Sequence, residues 1–145
     1  MSVGFLSIGD AAVQEFLWAH LVPSDIRHDY TRLDAIRFVQ DEICAGRQWL
    51  VGDLDAGLLF RVVAVNPWVI EPHIMGRAAM MRSMFSECLP LARQMGVRKI
   101  MVWTQYPVIG RIVTRLGFVK EAHFSRMHPV GEDLVDLEVF SLEFK

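Results

Sequence analysis

HIMGRA, residues 73–78, is the stretch that decides how this chain folds, because an apolar strand pattern ends there and a long helical pattern begins. The first amides of a helix have no partners within the helix and lie at the positive end of its dipole, so they attract anions such as phosphate. Gly76 permits a tight turn and a close approach of the backbone to a ligand. The stretch therefore predicts either an anion-binding loop or a turn that simply requires glycine.

Hydrophobic spacing and turn residues predict the other elements of the chain. The predicted order is β-α-α-β-β-β-α-β-α-β-β. In chain order, the predicted elements are a strand at 3–8, a helix capped by Asp10 and ended by Pro23, a helix at 33–45, strands at 48–54, 58–65 and 68–74, a helix at 77–95, a strand at 97–104, a helix from Pro107 to Gly117, and strands at 118–127 and 134–144.

Composition limits the class of protein. A net charge of −2 and a pI near 6.2, with no dense block of Lys or Arg, argue against a nucleic-acid partner. The longest apolar run, residues 62–70, is too short to span a bilayer. At 145 residues the chain is expected to form a single domain, residues 1–145.

The cysteines and histidines give no metal-binding spacing. Cys44 and Cys88 are expected to be buried thiols in a reducing compartment, and the start of the chain resembles no signal peptide, so a cytoplasmic protein is expected. No metal site is predicted. The four tryptophans are expected to pack in the core.

The element order and the motifs of residues 68–118 resemble the GNAT superfamily of acyl-CoA-dependent N-acyltransferases. In that family a strand leads through a Gln/Arg-x-x-Gly-x-Gly/Ala loop into a helix, and a later helix ends in Leu-Gly-Phe. Here the loop reads His73-x-x-Gly76-x-Ala78, and the later helix ends at residues 116–118. The resemblance implies a single-domain α/β (α+β) fold with a mixed, mostly antiparallel central sheet flanked by helices.

The resemblance also implies that acetyl-CoA is the donor substrate. Its pyrophosphate would lie at the loop, where Arg77 is placed to add a charge-assisted contact. The implied donor-binding residues are Ile70, Ile74, Met75, Gly76, Arg77 and Ala78.

The candidates for catalysis are Glu71, His73 and Tyr106. Glu71 lies on the strand that carries the general base in many GNAT enzymes, where a carboxylate takes a proton from an ammonium so that the neutral amine can attack the thioester. His73 is a candidate for the same task, because an imidazole side chain can take up a proton near neutral pH. For each residue a purely structural position on the strand is the alternative.

The general acid of the family is missing from its usual position. A tyrosine commonly precedes the Gly of Leu-Gly-Phe by four residues and protonates the leaving thiolate, and Val113 occupies that position here. Tyr106 is the remaining phenol on this helix, two turns away. Arg27, His28, Tyr30 and Arg32 lie in the segment that often covers the acceptor site in this family, although a solvated loop explains them equally well.

These observations predict transfer of an acetyl group from acetyl-CoA to the primary amine of an unidentified acceptor. The alternatives are a non-catalytic GNAT-like structural or assembly protein, such as a phage virion or head-assembly component, and a regulatory domain that binds CoA without turnover. Residues 134–144 carry apolar side chains on both faces of their strand, which is compatible with a homodimer contact.

Overall fold

The computed structural model describes residues 2–21 and 31–145. Across these residues the chain forms seven β-strands, four α-helices and one short 3-10 helix. In chain order they are β1 (Gly4–Phe5), α1 (Ala11–Leu21), α2 (Arg32–Cys44), β2 (Gln48–Asp53), β3 (Leu58–Asn66), β4 (Val69–Gly76), the 3-10 helix Ala78–Met80, α3 (Met81–Gln94), β5 (Lys99–Thr104), α4 (Pro107–Arg115), β6 (Val119–Val130) and β7 (Asp133–Glu143).

The strands form a mixed sheet in the order β1-β2-β3-β4-β5-β7-β6. The β4–β5 pair is parallel, whereas the β1–β2, β2–β3, β5–β7 and β6–β7 pairs are antiparallel. The element order and this mixed, mostly antiparallel sheet confirm the predicted fold class. The chain divides into two compact units, the first comprising the chain up to Val63 with His73–Met80 and the second comprising Ala64–Pro72 with Met81–Lys145.

The first unit has its core where α1 and α2 pack on the sheet. Asp10 begins α1, because its Oδ1 accepts the N–H of Ala12 at 2.8 Å, and Thr31 begins α2 by accepting the N–H of Asp34 at 3.2 Å. The residues buried together in this core are Val13, Leu17, Leu21, Ile36, Val39, Leu50, Leu59 and Met75. This burial holds the end of β4, through Met75, against both helices.

The β2–β3 hairpin of the first unit turns at residues 54–57, as the sequence predicts. The N–H of Gly57 donates to the carbonyl oxygen of Leu54 at 3.0 Å, and Gly57 has a φ of +72°. Asp53 fixes the turn by accepting the N–H groups of Asp55 and Ala56 through Oδ1 at 3.0 and 3.4 Å. The turn is therefore held by its own polar groups.

In the second unit, β7 lies between β5 and β6, and α4 packs on β7. Gly110 of α4 lies so close to Phe140 that an added Cβ would be 2.8 Å from the Phe140 ring. Pro107 begins α4, and Gly117, with a φ of +98°, follows its end, while the N–H of Phe118 donates back to the Val113 carbonyl oxygen at 3.0 Å. The Leu-Gly-Phe sequence therefore ends this helix as expected.

Several local expectations differ from the structure. The helix expected from residue 77 begins as the 3-10 turn Ala78–Met80, and α3 itself begins at Met81. The strand expected at residues 3–8 is reduced to Gly4–Phe5. The expected helix end at Pro23 falls outside the described residues.

Three expectations of burial were wrong. Trp68 is 51 % exposed and lies under the guanidinium of Arg98, 5.2 Å from the ring centroid. Trp103 is 42 % exposed and stacks on Phe124 with centroids 6.1 Å apart. Cys44 is also exposed, because it is the last residue of α2 and faces away from the core. The residue type predicted burial, but the place of each residue at a helix end or on the surface of the packed elements decided its exposure.

Candidate functional site

Two residue pairs join the parallel strands β4 and β5, Val69 with Lys99 and Ile70 with Ile100. Among the described residues of the second unit the pairing stops there, although β5 continues to Thr104 and remains paired with β7 over its whole length. Pro72, two residues past the last pair, has no N–H to extend the ladder. Within the part of the chain that the structure describes, no strand pairs with this edge of β5 beyond Ile100, so its backbone groups are available to another molecule.

Ile70 and Glu71 lie where this pairing ends. Ile70 is half-buried in the last pair, and Glu71 is the next residue along β4, also half-buried. Glu71 is therefore the first residue of β4 beyond the last β4–β5 pair, and it is partly shielded from solvent.

The loop after β4 in the first unit is exposed from Gly76 to Ala79. The N–H of Met80 donates to the carbonyl oxygen of Arg77 at 3.2 Å, which forms the 3-10 turn. Within the part of the chain that the structure describes, the N–H groups of Ala78 and Ala79 have no hydrogen-bond partner. The loop therefore presents two adjacent free amides to solvent, which is the arrangement that binds an anion.

The amide of Arg77 is not free. It donates to the carbonyl oxygen of Gly57 at 3.0 Å. The Arg77 amide, which the sequence suggested as an anion ligand, is therefore engaged in a bond within the protein. Gly76 has a φ of +110°, and a Cβ there would lie 1.9 Å from the same Gly57 oxygen. Both the backbone conformation and this contact require glycine at position 76.

The Arg77 side chain extends over the β2–β3 turn. A Cβ added to Gly57 would lie 3.3 Å from both Cδ and Nε of Arg77. The Arg77 side chain is exposed, and no acidic partner for it occurs among residues 2–21 and 31–145. Its positive charge is therefore available to an anion at the loop.

The other predicted residues of β4 in the first unit differ in exposure. Met75 is 4 % exposed and packs in the core, so only its backbone can meet a ligand. His73 and Ile74 are half-buried. The sequence indicated Gly57 only as a hairpin glycine, and nothing in the sequence pattern indicated its contact with residues 76 and 77.

Tyr106 and Val113 lie in the second unit at opposite ends of α4. Tyr106 precedes the helix, its side chain is 59 % exposed, and its N–H donates to Oγ1 of the buried Thr104 at 3.0 Å. Val113 is fully buried. Val113, a buried apolar residue, therefore stands where GNAT enzymes commonly have a tyrosine. Tyr106 provides an accessible phenol at the other end of the helix.

Charged side chains elsewhere in the second unit pair on the β6–β7 hairpin. Asp136 accepts the N–H of Arg126 through Oδ1 at 3.0 Å and contacts Nε2 of His123 through Oδ2 at 3.0 Å, and these contacts hold the pKa of the Asp136 carboxyl below its usual range. Arg126 has a φ of +50° in a bulge of β6. Among the described residues, no group of His, Cys, Asp or Glu is arranged to hold a metal ion, and no helix is long and apolar enough to cross a membrane.

Comparison with known sequences finds no match, whereas comparison with solved structures finds similar folds. No protein-family model and no curated protein matches the sequence. Solved structures do match it. One is yncA from Salmonella typhimurium with its cofactor acetyl-CoA, at a TM-score of 0.76 and 14 % identity over 100 % of this chain and 94 % of that one.

The spermidine N-acetyltransferase of Vibrio cholerae, in complex with CoA and spermine, matches with a TM-score of 0.76 and 13 % identity, over 98 % of this chain and 94 % of the enzyme. A point variant of the same enzyme, SpeG, reaches a TM-score of 0.78 at 14 % identity, over 99 % and 95 % of the two chains. Similarity at this level of identity establishes architecture. The chain therefore has the GNAT fold that its sequence motifs predicted.

Proposed function

We propose that the protein is an acyl-CoA-dependent N-acetyltransferase that transfers an acetyl group from acetyl-CoA to a primary amine. The observation that supports this most strongly is the end of the β4–β5 pairing after Ile70 and Ile100, which leaves one edge of β5 open. The amide-bearing pantetheine arm of CoA is a chemical match for such an edge, because it can form strand-like hydrogen bonds.

The loop of the first unit supports a diphosphate-bearing donor. The amides of Ala78 and Ala79 and the guanidinium of Arg77, which have no partner among residues 2–21 and 31–145, provide donors and positive charge for phosphate oxygens. Two of the solved structures with this fold contain acetyl-CoA or CoA. In this proposal Ile70, Ile74, Met75, Gly76 and Ala78 contribute backbone and shape, and Arg77 contributes charge.

The proposed reaction needs a general base for the amine, whereas the departing thiolate can be protonated by a weak acid or by water. The Glu71 carboxylate takes a proton from the acceptor ammonium, and the neutral nitrogen then attacks the thioester carbonyl carbon. The tetrahedral intermediate collapses with cleavage of the C–S bond, and the second proton on nitrogen is lost to solvent. The thiolate leaves and receives a proton from the Tyr106 phenol or from water. His73 is the second candidate for the base.

A second function is a module that binds partners or CoA without turnover. Val113 favours it, because a fully buried valine removes the usual acid of the family. Exposed apolar side chains on the β6–β7 hairpin favour it as well, and they are also the basis for proposing a homodimer. Met127, Val130 and Leu134 are 57, 45 and 49 % exposed. Light scattering of the purified protein across a concentration series tests the homodimer.

A thermal melt with and without acetyl-CoA tests the donor assignment. A ligand at about a hundred times its Kd stabilises the native state by roughly 2.7 kcal/mol, which raises Tm by several degrees for a chain of this size. Desulfo-CoA controls for thiol reactivity and ATP for general phosphate binding. No rise with millimolar acetyl-CoA would exclude the enzyme, because a transferase that cannot hold its donor cannot react.

Acceptors are then tested by following thiol release from acetyl-CoA with a panel of primary amines, including spermidine and spermine. Release that depends on both acetyl-CoA and one amine supports the transferase. A CoA-specific rise in Tm without thiol release for any amine supports the non-catalytic module instead. We place the protein in the cytoplasm, a proposal supported by its two unpaired cysteines, Cys44 and Cys88.

A further inference from the structure

The β2–β3 turn touches Arg77 with two different groups. The carbonyl oxygen of Gly57 accepts the Arg77 N–H at 3.0 Å. The aliphatic part and Nε of the Arg77 side chain also lie directly over the Gly57 α-carbon, because an added Cβ would be 3.3 Å from Cδ and Nε and 3.4 Å from Cγ. A side chain at position 57 would therefore press against the Arg77 side chain.

The turn alone does not explain a glycine at position 57. Its φ of +72° lies in the left-handed region, which asparagine also adopts with little strain. The turn is held by Asp53 and by the bond from Gly57 to Leu54, and neither depends on the absence of a side chain at 57. The contact with Arg77 is what separates glycine from asparagine here.

We infer that Gly57 is a positioning residue for Arg77, and that it holds the arginine where the diphosphate of the donor binds. The inference rests on the proposed function, since it assigns a role within the proposed donor loop. An arginine that is confined in the free protein loses less conformational freedom when it binds phosphate, so confinement raises affinity. The backbone bond to Gly57 and the packing over Gly57 provide that confinement.

Gly46 offers a matched control in the same unit. It follows α2 with a φ of +73°, and an added Cβ would have no atom within 4 Å. Gly57→Asn and Gly46→Asn therefore impose the same backbone requirement, but only the first adds a side chain against Arg77. The two variants should lose similar stability in urea unfolding. Only Gly57→Asn should weaken CoA binding, by about three- to tenfold in Kd by calorimetry, as expected for partial loss of one charge-assisted contact.

Binding of pantetheine, a fragment of CoA, and a double mutant distinguish positioning of Arg77 from a general loss of structure. Pantetheine, which lacks the diphosphate, should bind Gly57→Asn and the native protein equally, and KM for acetyl-CoA should rise without a change in kcat. Arg77→Ala should weaken CoA binding by about tenfold or more. In the Arg77→Ala background, Gly57→Asn should have no further effect, because the side chain it displaces is gone.

The binding results distinguish failure of the proposed role of Gly57 from failure of the proposed transferase function. Equal CoA affinity in Gly57→Asn and Gly46→Asn, with native protein that binds CoA, would overturn the role of Gly57 and leave the transferase intact. Native protein that binds pyrophosphate but not acetyl-CoA would exclude the transferase, and Gly57→Asn would then be scored on pyrophosphate. Binding of neither ligand would overturn both. If Gly57→Asn does not fold, the pair Gly57→Ala and Gly46→Ala replaces it with the same expectations.

Discussion

The carbonyl oxygen of Gly57 lies 1.9 Å from the position that a Cβ on Gly76 would take, so the two glycines are in direct backbone contact. Gly57 belongs to the β2–β3 turn, and Gly76 ends β4. Through this contact a short hairpin fixes the start of the loop that we propose for donor binding. The contact also makes Gly76 a structural requirement as well as a candidate for close approach to a ligand.

Gly76→Ala should destabilise the first unit. A non-glycine residue in such a conformation costs about 1–3 kcal/mol, and the clash with a backbone oxygen adds to this because neither group can rotate away. Gly117→Ala is the control, since Gly117 has a φ of +98° and only Leu142 Cδ1, at 3.7 Å, near an added Cβ. Urea unfolding should show the larger loss for Gly76→Ala. Equal losses would mean that the Gly57 carbonyl yields readily.

Glu71→Gln should lower kcat strongly at neutral pH and leave CoA affinity nearly unchanged. Removal of a general base typically costs about 10²–10⁴ in rate, whereas binding of the donor does not need the proton acceptor. Glu87→Gln, an exposed change on α3, controls for the loss of a carboxylate elsewhere. A Glu71→Gln enzyme as fast as the native protein would remove Glu71 from the mechanism.

His73→Gln should keep kcat within about tenfold of the native enzyme if Glu71 is the base. The substitution introduces the residue type that the resembling family often has at this position. The two variants together assign the base, since a large fall in kcat with His73→Gln and none with Glu71→Gln would transfer the role to His73.

Tyr106→Phe tests whether a phenol protonates the leaving thiolate. If it does, removal of the hydroxyl should lower kcat by about a hundredfold and leave the KM for acetyl-CoA unchanged. The substitution should not change stability, because the side chain is 59 % exposed and makes no capping bond to α4. Unchanged kcat would show that the thiolate departs without this acid.

The two thiols should react at different rates with iodoacetamide. Cys44 is exposed, whereas burial, with a smaller contribution from Glu87, raises the pKa of the Cys88 thiol to about 11. At pH 8 about one Cys88 thiol in a thousand is then ionised, and the thiolate is the reactive form. Mass spectrometry should find rapid modification that Cys44→Ser abolishes. Rapid labelling of Cys88 in native protein would contradict its burial.

The sequence by itself determined the local elements of this protein. Asp10, Gly46 and Gly117 begin or end helices through bonds to residues two or three positions away, and Pro107 suits the first turn of α4 because that position needs no N–H donor, so a reader of the sequence can place all four. The β2–β3 hairpin has the same origin, since Asp53 and Gly57 form its turn within five residues. Element order followed from these signals, and the order together with the loop motif was enough to predict the GNAT fold.

Only the tertiary structure decided how distant segments meet. The end of pairing after Ile70 and Ile100 depends on where two strands separate, and β7 pairs with β5 across 34 to 44 residues of chain. Likewise Trp103 lies at the surface, where one face of its ring stacks on Phe124. Side-chain type predicts a preference for burial, but the space at Gly57 and the partner of the Arg77 amide depend on residues twenty positions apart. Such contacts are absent from local sequence patterns because they arise only when the packed elements fix the distance between segments.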